Sequence, residues 1–548
     1  MKNVLLVYPR FPITYWGFQD ALKLVNKRAS LPPLGLVTLA ACLPEQWNLR
    51  LVDLNVSDLS DDDLSWCDVV FLTGMMVQMD SMREVTARAQ AAARPLVVGG
   101  PTATTDPDLF PDADLVFQGE VEGRIHQLVQ GVETMRAPGN GSGSMGIPVF
   151  ERRVVPMGES KPDLSDVPVP RYDLLQLHLY TSMSIQYSRG CPFNCEFCDI
   201  IEIFGRVCRV KTYDQILAEL DALRDLGFDG SVFLVDDNFI CNKREVVKLL
   251  PRMAAWQDAH GRPYELYTEA SINLASDPAL MESMVQAGFS TVFVGIETPS
   301  KIALTEAGKG QNLRIEPAEA IATMTRAGLE VMGGFIVGFD SDGPEIFEAQ
   351  RALIQSSPIS LAMVGLLMAL PGTRLWRRLE REKRIRGRPG GDQFERCNFT
   401  PAMDEEALLR GYQGLMADLY SAEAYYERCE AYVAQVGPIP MSGWRGFEDI
   451  RYFLKAVLHI GVQSPRRLRF WRLLLRSLTA APHTVKWAVV KALQGEHMIR
   501  YTADHVLPRL DRALEDLAQE RRVAEATRRP ELSTQRPRPG TSPVLEIA

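Results

Sequence analysis

The chain has 548 residues, 46% of them hydrophobic and 24% charged, with a formal net charge of −9. That length and balance allow more than one domain with its own core and exclude wholesale disorder. The acidic sign, with no long basic block in the first two-thirds, argues against nucleic acid as the main partner.

The chain begins with a short strand-like run that meets Pro9. It lacks the apolar core of a signal peptide, and no stretch reaches the ~18 uncharged apolar residues of a membrane span. Over residues 1–150, runs at 4–8, 49–52, 69–73, 95–98 and 115–118 alternate with helical stretches. Alternation of this kind predicts an α/β fold with a parallel, doubly wound, flavodoxin-like (Rossmann-like) sheet. Ligands of such sheets bind beyond the carboxyl ends of the strands. The loops there hold Gly74-Met75 and Gly99-Gly100-Pro101-Thr102.

Residues 139–146 are rich in Gly, Ser and Asn, a loop by composition. Residues 151–183 read as a linker, with Pro162, Pro168 and Pro170 favouring an extended path. From 184 to 400, candidate strands at 184–188, 231–235, 264–270, 291–296, 332–337 and 361–368 alternate with helices. Six βα units predict a partial (β/α)6 barrel of the TIM type, whose active site lies on the loops after the strands.

The loop after the first barrel strand holds Cys191, Cys195 and Cys198 at C-x3-C-x2-C spacing. Thiolates favour soft metals and iron–sulfur clusters. Three thiolates leave one iron of a cubane cluster open to a reacting ligand. A zinc knuckle or three plain thiols are the alternatives, but zinc sites pair their ligands and no second pair exists here. The other six cysteines (42, 67, 208, 241, 397 and 429) are scattered singles, which fits a reducing cytoplasm better than a disulfide framework.

These three cysteines, with Phe197 before the last, resemble the signature of radical S-adenosylmethionine (SAM) enzymes. The resemblance implies a 4Fe–4S cluster whose open iron takes SAM, and a 5′-deoxyadenosyl radical as the reactive species. It also implies SAM contacts at Asp236 and Asp237 after the second barrel strand, Glu269 after the third, Glu297 after the fourth and Gly334 in the fifth. The first domain resembles the cobalamin-binding domain that precedes many radical SAM domains, through Pro32-Pro33-Leu34-Gly35, Val52-Asp53, Gly74-Met75 and Gly99-Gly100-Pro101. That implies cobalamin contacts at Gly74, Met75, Gly99, Gly100 and Thr102. The Asp-x-His-x-x-Gly motif that gives cobalt a histidine is missing, and Thr102 stands where many relatives carry histidine. No axial protein ligand is assigned.

Residues 401–520 read as a helical domain, with helices at 404–420, 422–434, 446–460, 466–478 and 484–494, and 521–548 as a disordered tail. Between Arg466 and Arg476, arginines interleave with Leu468, Phe470, Trp471 and Leu473. Such a helix either lies on a membrane surface or packs with a solvated basic face. This extension, including Gly495-Glu496-His497-Met498, resembles that of a cobalamin-dependent radical SAM subgroup containing the hopanoid C-2 methylase. The resemblance implies methyl transfer to an unactivated carbon of a lipid or isoprenoid-like small molecule. A reductant such as flavodoxin or ferredoxin and a cytoplasmic setting are expected with it, and the membrane reading of Arg466–Arg476 would add peripheral contact at the inner face of the membrane. The alternatives are a non-methylating oxidation, cyclisation or ring rearrangement on the same cofactors, RNA methylthiolation, and a non-enzymatic carrier. The methylthiolation reading lacks its N-terminal cysteine trio here.

Overall fold

The computed structural model describes residues 1–135, 152–391, 394–437 and 447–528. The loop expected at 139–146 and the tail beyond residue 528 lie outside them. The first sheet contains β1 (Asn3–Tyr8), β2 (Asn48–Asp53), β3 (Val69–Thr73), β4 (Leu96–Gly99), β5 (Leu115–Phe117) and β6 (Arg153–Val155). All pair in parallel, in the order β2-β1-β3-β4-β5-β6. Val4 to Val7 are fully buried on both faces, the continuous apolar run that a sheet covered by helices demands. Helix α1 (Leu34–Cys42) and helix α3 (Ile125–Thr134) cover one face and α2 (Met79–Ala91) the other. The edge strand β6 falls past residue 150, so the sheet reaches into the stretch expected to be linker. Three residues pairing only at an edge give no period for a sequence to display.

The second sheet contains β7 (Ser182–Ile185), β8 (Gly230–Leu234), β9 (Tyr264–Ala270), β10 (Phe289–Glu297), β11 (Glu330–Val337) and β12 (Ala362–Leu366). It is wholly parallel, in the order β12-β11-β10-β9-β8-β7, and opens between its two edges. Five helices form the outer layer: α4 (Tyr213–Asp225), α5 (Lys243–Ala259), α6 (Pro278–Gln286), α7 (Pro317–Arg326) and α8 (Ile346–Ser356). Thr212 caps the first of these in a capping box with Gln215. Burial along β9 alternates strictly, Leu266 and Thr268 buried and Glu265, Tyr267 and Glu269 half-buried. The buried set packs against the outer helices, so the half-buried set faces an interior that protein does not fill.

The C-terminal region holds α9 (Glu405–Leu419), α10 (Ala422–Gln435), α11 (Phe447–Leu458), α12 (Arg467–Ala480), α13 (Val485–Tyr501) and α14 (Leu507–Arg528). Tyr412 and Tyr420 donate hydrogen bonds of 2.7 and 2.5 Å to the Val364 and Ala362 carbonyls, covering the free edge of β12. Trp487 and Lys491 of α13 reach Glu330 at 2.9 and 2.7 Å, so this helix closes the inner side of the sheet at that end. The expected disorder from residue 521 is corrected: helix continues to Arg528, and Arg521 pairs with Asp404 and Glu406 of the α9 start. Buried Leu510, Leu514 and Leu517 hold α14, a core contribution that charge-rich composition conceals.

Candidate active site

The cysteine loop leaves β7 through a two-residue antiparallel ribbon, Ser188–Arg189 against Arg209–Val210. Gly190 then turns at φ +95°, where a side chain would lie 2.7 Å from the Val207 carbonyl. Neighbouring loops pin the cysteine motif itself. Glu196 donates its amide to the Ala307 carbonyl and accepts from the Leu375 amide, both at 2.8 Å. Its carboxylate meets Arg378 at 2.9 Å, and Arg378 also meets Asp340 at 2.6 Å. The motif is thereby fixed by the segments after β10, β11 and β12.

All three thiols are free, and burial pushes Cys198 up to about 12. Among the described residues no three His, Cys, Asp or Glu side chains can hold a single metal ion. Three thiols on one loop are a donor set for a cubane cluster, each thiolate taking a different iron. Bound iron supplies the charge that turns buried thiols into thiolates.

The carboxylates predicted from the sequence gather beyond this loop but differ in kind. Asp236 is fully buried; its Oδ1 accepts the amides of Tyr187 (3.0 Å) and Ser188. It therefore holds the strand that feeds the cysteine loop through one oxygen, while its Oδ2 has no partner among the described residues. Burial raises Asp237 to about 6, and its Oδ2 has no partner among the described residues. Burial, with Asp237 and Asp236 nearby, raises Glu269 to about 8. Glu297 ends β10 at φ +67°, an uncommon backbone for a residue with a side chain. Gln350 steadies it by donating to the Glu297 carbonyl (3.2 Å) and the Ile336 carbonyl (2.7 Å). The Glu297 carboxylate pairs with Lys309, which sequence reasoning missed. Burial alone would lower this ammonium; Glu297 and the thiols of Cys195 and Cys198 outweigh it and hold it raised. Gly334 faces the interior beside Gly295, and a side chain there would strike Phe293 at 2.8 Å.

In the first domain, Gly100 turns at φ +90°, and a side chain there would overlap Thr73. Gly74 packs tightly on Met82 and Pro9, whereas Gly99 has room, its nearest neighbour being the Phe117 carbonyl at 3.6 Å. Met75 is exposed at the mouth. Thr102 is buried with its hydroxyl unpartnered. Gly74 and Gly100 thus answer the packing of the protein itself, while the room at Gly99 and the orphaned hydroxyl of Thr102 fit a bulky ligand with polar edges, which cobalamin is. Of seven histidines only His126 lies in this domain, exposed on α3 and not in the loops after the strands.

A buried charge clamp joins the two sheets. Arg189 meets Glu120 and Glu122, both at 2.8 Å, and Arg209 meets Glu120 at 3.0 Å. The loop after β5 is thus tied to the residue two positions before Cys191. Tyr180 donates to Asp53 at 2.8 Å, and Arg388 reaches Asp106 at 3.0 Å. Residues 13–16, from the loop after β1, enter the C-terminal helices: Tyr15 bonds Thr502, and Tyr501 donates to the Ile13 carbonyl at 3.0 Å. Trp16 then sets its ring against Phe293 of β10, with centroids 5.9 Å apart.

A three-cysteine loop at the mouth of an open parallel barrel, clamped under a doubly wound domain with a small-residue cradle, defines a radical SAM enzyme with a cobalamin domain. Three family models agree: a B12 binding domain over residues 24–129, the radical SAM superfamily over 185–350 and a domain of unknown function, DUF4070, over 373–509. The chain is 37% identical to an uncharacterized methyltransferase of Synechocystis sp., over 91% of this chain and 92% of that protein. It is 35% identical to the hopanoid C-2 methylase of Rhodopseudomonas palustris, over 92% of this chain and 94% of that protein. In fold it is similar to the radical SAM methyltransferase TsrM from Kitasatospora setae, solved with cobalamin and a 4Fe–4S cluster. The TM-score is 0.58 at 16% identity, covering 88% of this chain and all of that one. The chain belongs to the cobalamin-dependent radical SAM methyltransferase family that includes the hopanoid C-2 methylase. Its cofactors are a 4Fe–4S cluster, SAM and cobalamin.

Proposed function

We propose that this methyltransferase acts on an unactivated carbon of a polycyclic isoprenoid lipid of hopanoid type. The observation that carries this reading is the chemistry of the barrel's inner face. Phe233 and Tyr267 stack there at 4.7 Å, and Phe293, Met332 and Met363 follow on the next strands, with Trp16 above. All are half-buried, walls without filling. Flat aromatic and pliant methionine surfaces suit a rigid apolar ring system. Of the interior carboxylates, Glu330 and Glu297 are engaged by Lys491 and Lys309, and Asp237 and Glu269 lie on the SAM side, which leaves the aromatic and methionine wall to the substrate. The names of the relatives support the same reading, among them hopanoid C-2 and C-3 methylases.

The bound cofactors supply a carbon radical and a methyl donor. The chain supplies position. Cys191, Cys195 and Cys198 take the cluster irons. Asp237, Glu269, Glu297 and Gly334 line the SAM side, with Lys309 holding Glu297 and Asp236 holding the cysteine strand. Gly74, Met75, Gly99, Gly100 and Thr102 form the cobalamin cradle. The clamp of Arg189 and Arg209 on Glu120 keeps the two sites facing one another, as proximity requires. A reductant such as flavodoxin or ferredoxin delivers electrons, and the enzyme works from the cytoplasm at the inner face of the membrane.

The test is a charge placed on the apolar wall. Phe293→Glu and Met363→Glu should each lower methylation of a lipid extract by at least about a hundredfold, because the lipid would have to bury an unpaired carboxylate. Both should still cleave SAM to 5′-deoxyadenosine. Full lipid methylation by both variants would overturn the reading.

A further inference from the structure

Residues 450–478 stand apart from the rest of the surface. Ile450, Leu454, Leu458 and Val462 follow one another at four-residue steps, one face of a helix and the turn after it. Leu468, Trp471, Leu475 and Leu478 make a second stripe on α12. These eight side chains are 44% to 78% exposed, whereas Phe470, Leu473 and Leu474 on the other side of α12 are buried. The stripes adjoin: Trp471 donates to the Gly461 carbonyl at 2.9 Å, and Phe470 and Trp471 press to 3.1 Å of the space above Gly461. Folded monomers seldom leave an apolar surface of this kind uncovered without a use for it.

The segment's own charge is one-sided, although Arg466 and Arg469 meet Glu496 and Glu423 of neighbouring helices. Between Ile450 and Val490 there are eight lysines and arginines and no aspartate or glutamate, in a chain of net charge −9. Arg472 and Arg476 share one partner, Glu430, at 3.0 and 2.9 Å, and Arg467 is exposed. Among the described residues no helix is long and apolar enough to cross a membrane.

We propose that α11, α12 and the turn between them form a docking face for the surface of an anionic lipid bilayer, apolar side chains inserted and arginines at the headgroups. A second copy of this chain fits less well, since pairing the face with itself would bring its arginines together. The place in the fold supports the same occupant. The short helix Gln19–Leu24 packs on α11 and α13. Just before it, Phe18 meets His497 at 5.6 Å and Trp16 meets Phe293 inside the barrel. The face therefore flanks the segment that reaches the barrel interior, where a lipid leaving the bilayer would enter. The purpose of the face rests on the lipid-substrate reading; its evidence does not.

The experiment is flotation of the full chain with vesicles of phosphatidylcholine alone, or mixed with phosphatidylglycerol, neither containing hopanoid. The protein should float with the mixed vesicles and be released by salt. The pairs Leu454→Glu with Leu475→Glu, and Arg467→Glu with Arg472→Glu, should each weaken binding by at least about tenfold. SAM cleavage by each, unchanged, checks that the variants fold. Absent binding by the parent chain, or binding that survives both pairs, would overturn the proposal. A solution dimer that either pair makes monomeric would also overturn it. Methylation of detergent-solubilised lipid is read separately: if it fails while flotation succeeds, the substrate reading falls and the docking face stands.

Discussion

Glu269 shows how a single side chain reports the site. It ends β9 on the interior face, and burial with two nearby aspartates lifts it from 4.5 to about 8. Between those values the unfolded chain has released a proton that the folded protein keeps. Its contribution to stability is therefore complete below about 4.5 and falls as pH rises towards 8. Glu269→Gln keeps the shape and removes the titration. In the cofactor-free protein it should raise Tm at pH 8, with the gain shrinking towards zero at pH 5. An equal change at both values, measured by calorimetry, would contradict this assignment. At the same scale, the cysteine motif was legible because its three ligands lie within eight residues. Lys309 was not: it lies twelve residues past Glu297, beyond a short helix, and nothing in the local pattern marks it as that carboxylate's partner. Asp236 lies in the expected loop, but sequence does not say that one of its oxygens is spent on the amides of Tyr187 and Ser188, since those partners lie 49 and 48 residues upstream.

Among elements, the segment after β1 does most to unite the molecule. Tyr15 is almost wholly buried among Phe394, Tyr420 and Tyr501, with ring centroids 5.0 to 5.2 Å away. Tyr15→Ala should cost about 3–5 kcal/mol, as large aromatic truncations in cores do. Denaturant unfolding followed by tryptophan fluorescence measures this; a loss below about 1 kcal/mol would show that the C-terminal helices stand without the segment. The strands and most helices could be read from period and turn residues. This segment could not, because Ile13-Thr14-Tyr15-Trp16 has no period and the hydrogen-bond partners of Tyr15 and Ile13 lie more than 480 residues away. The same limit hid the Arg189 clamp, whose partners are 67 and 69 residues upstream. It also hid the closure of the barrel by α13.

At the scale of the whole molecule, two parallel sheets bring the carboxyl-end loops of the first domain against the loop of the second that carries the cysteines. Arg189, Arg209, Tyr180 and Arg388 hold that arrangement through partly or wholly buried polar contacts. Removing one partner of a buried pair such as Arg189 with Glu120 typically costs about 3–5 kcal/mol, so a fixed distance between the two cofactor sites is built in. The C-terminal helices serve both sheets: α13 closes the barrel, while α11 and α12 turn an apolar, basic face outward. The most direct test of the whole account is anaerobic turnover of the reconstituted enzyme with SAM carrying a deuterated methyl group, a reductant and a hopanoid hydrocarbon. The account predicts a lipid heavier by one labelled methyl group, with 5′-deoxyadenosine and S-adenosylhomocysteine formed in equal amounts. Formation of 5′-deoxyadenosine with an unlabelled, oxidised or cyclised lipid would contradict it.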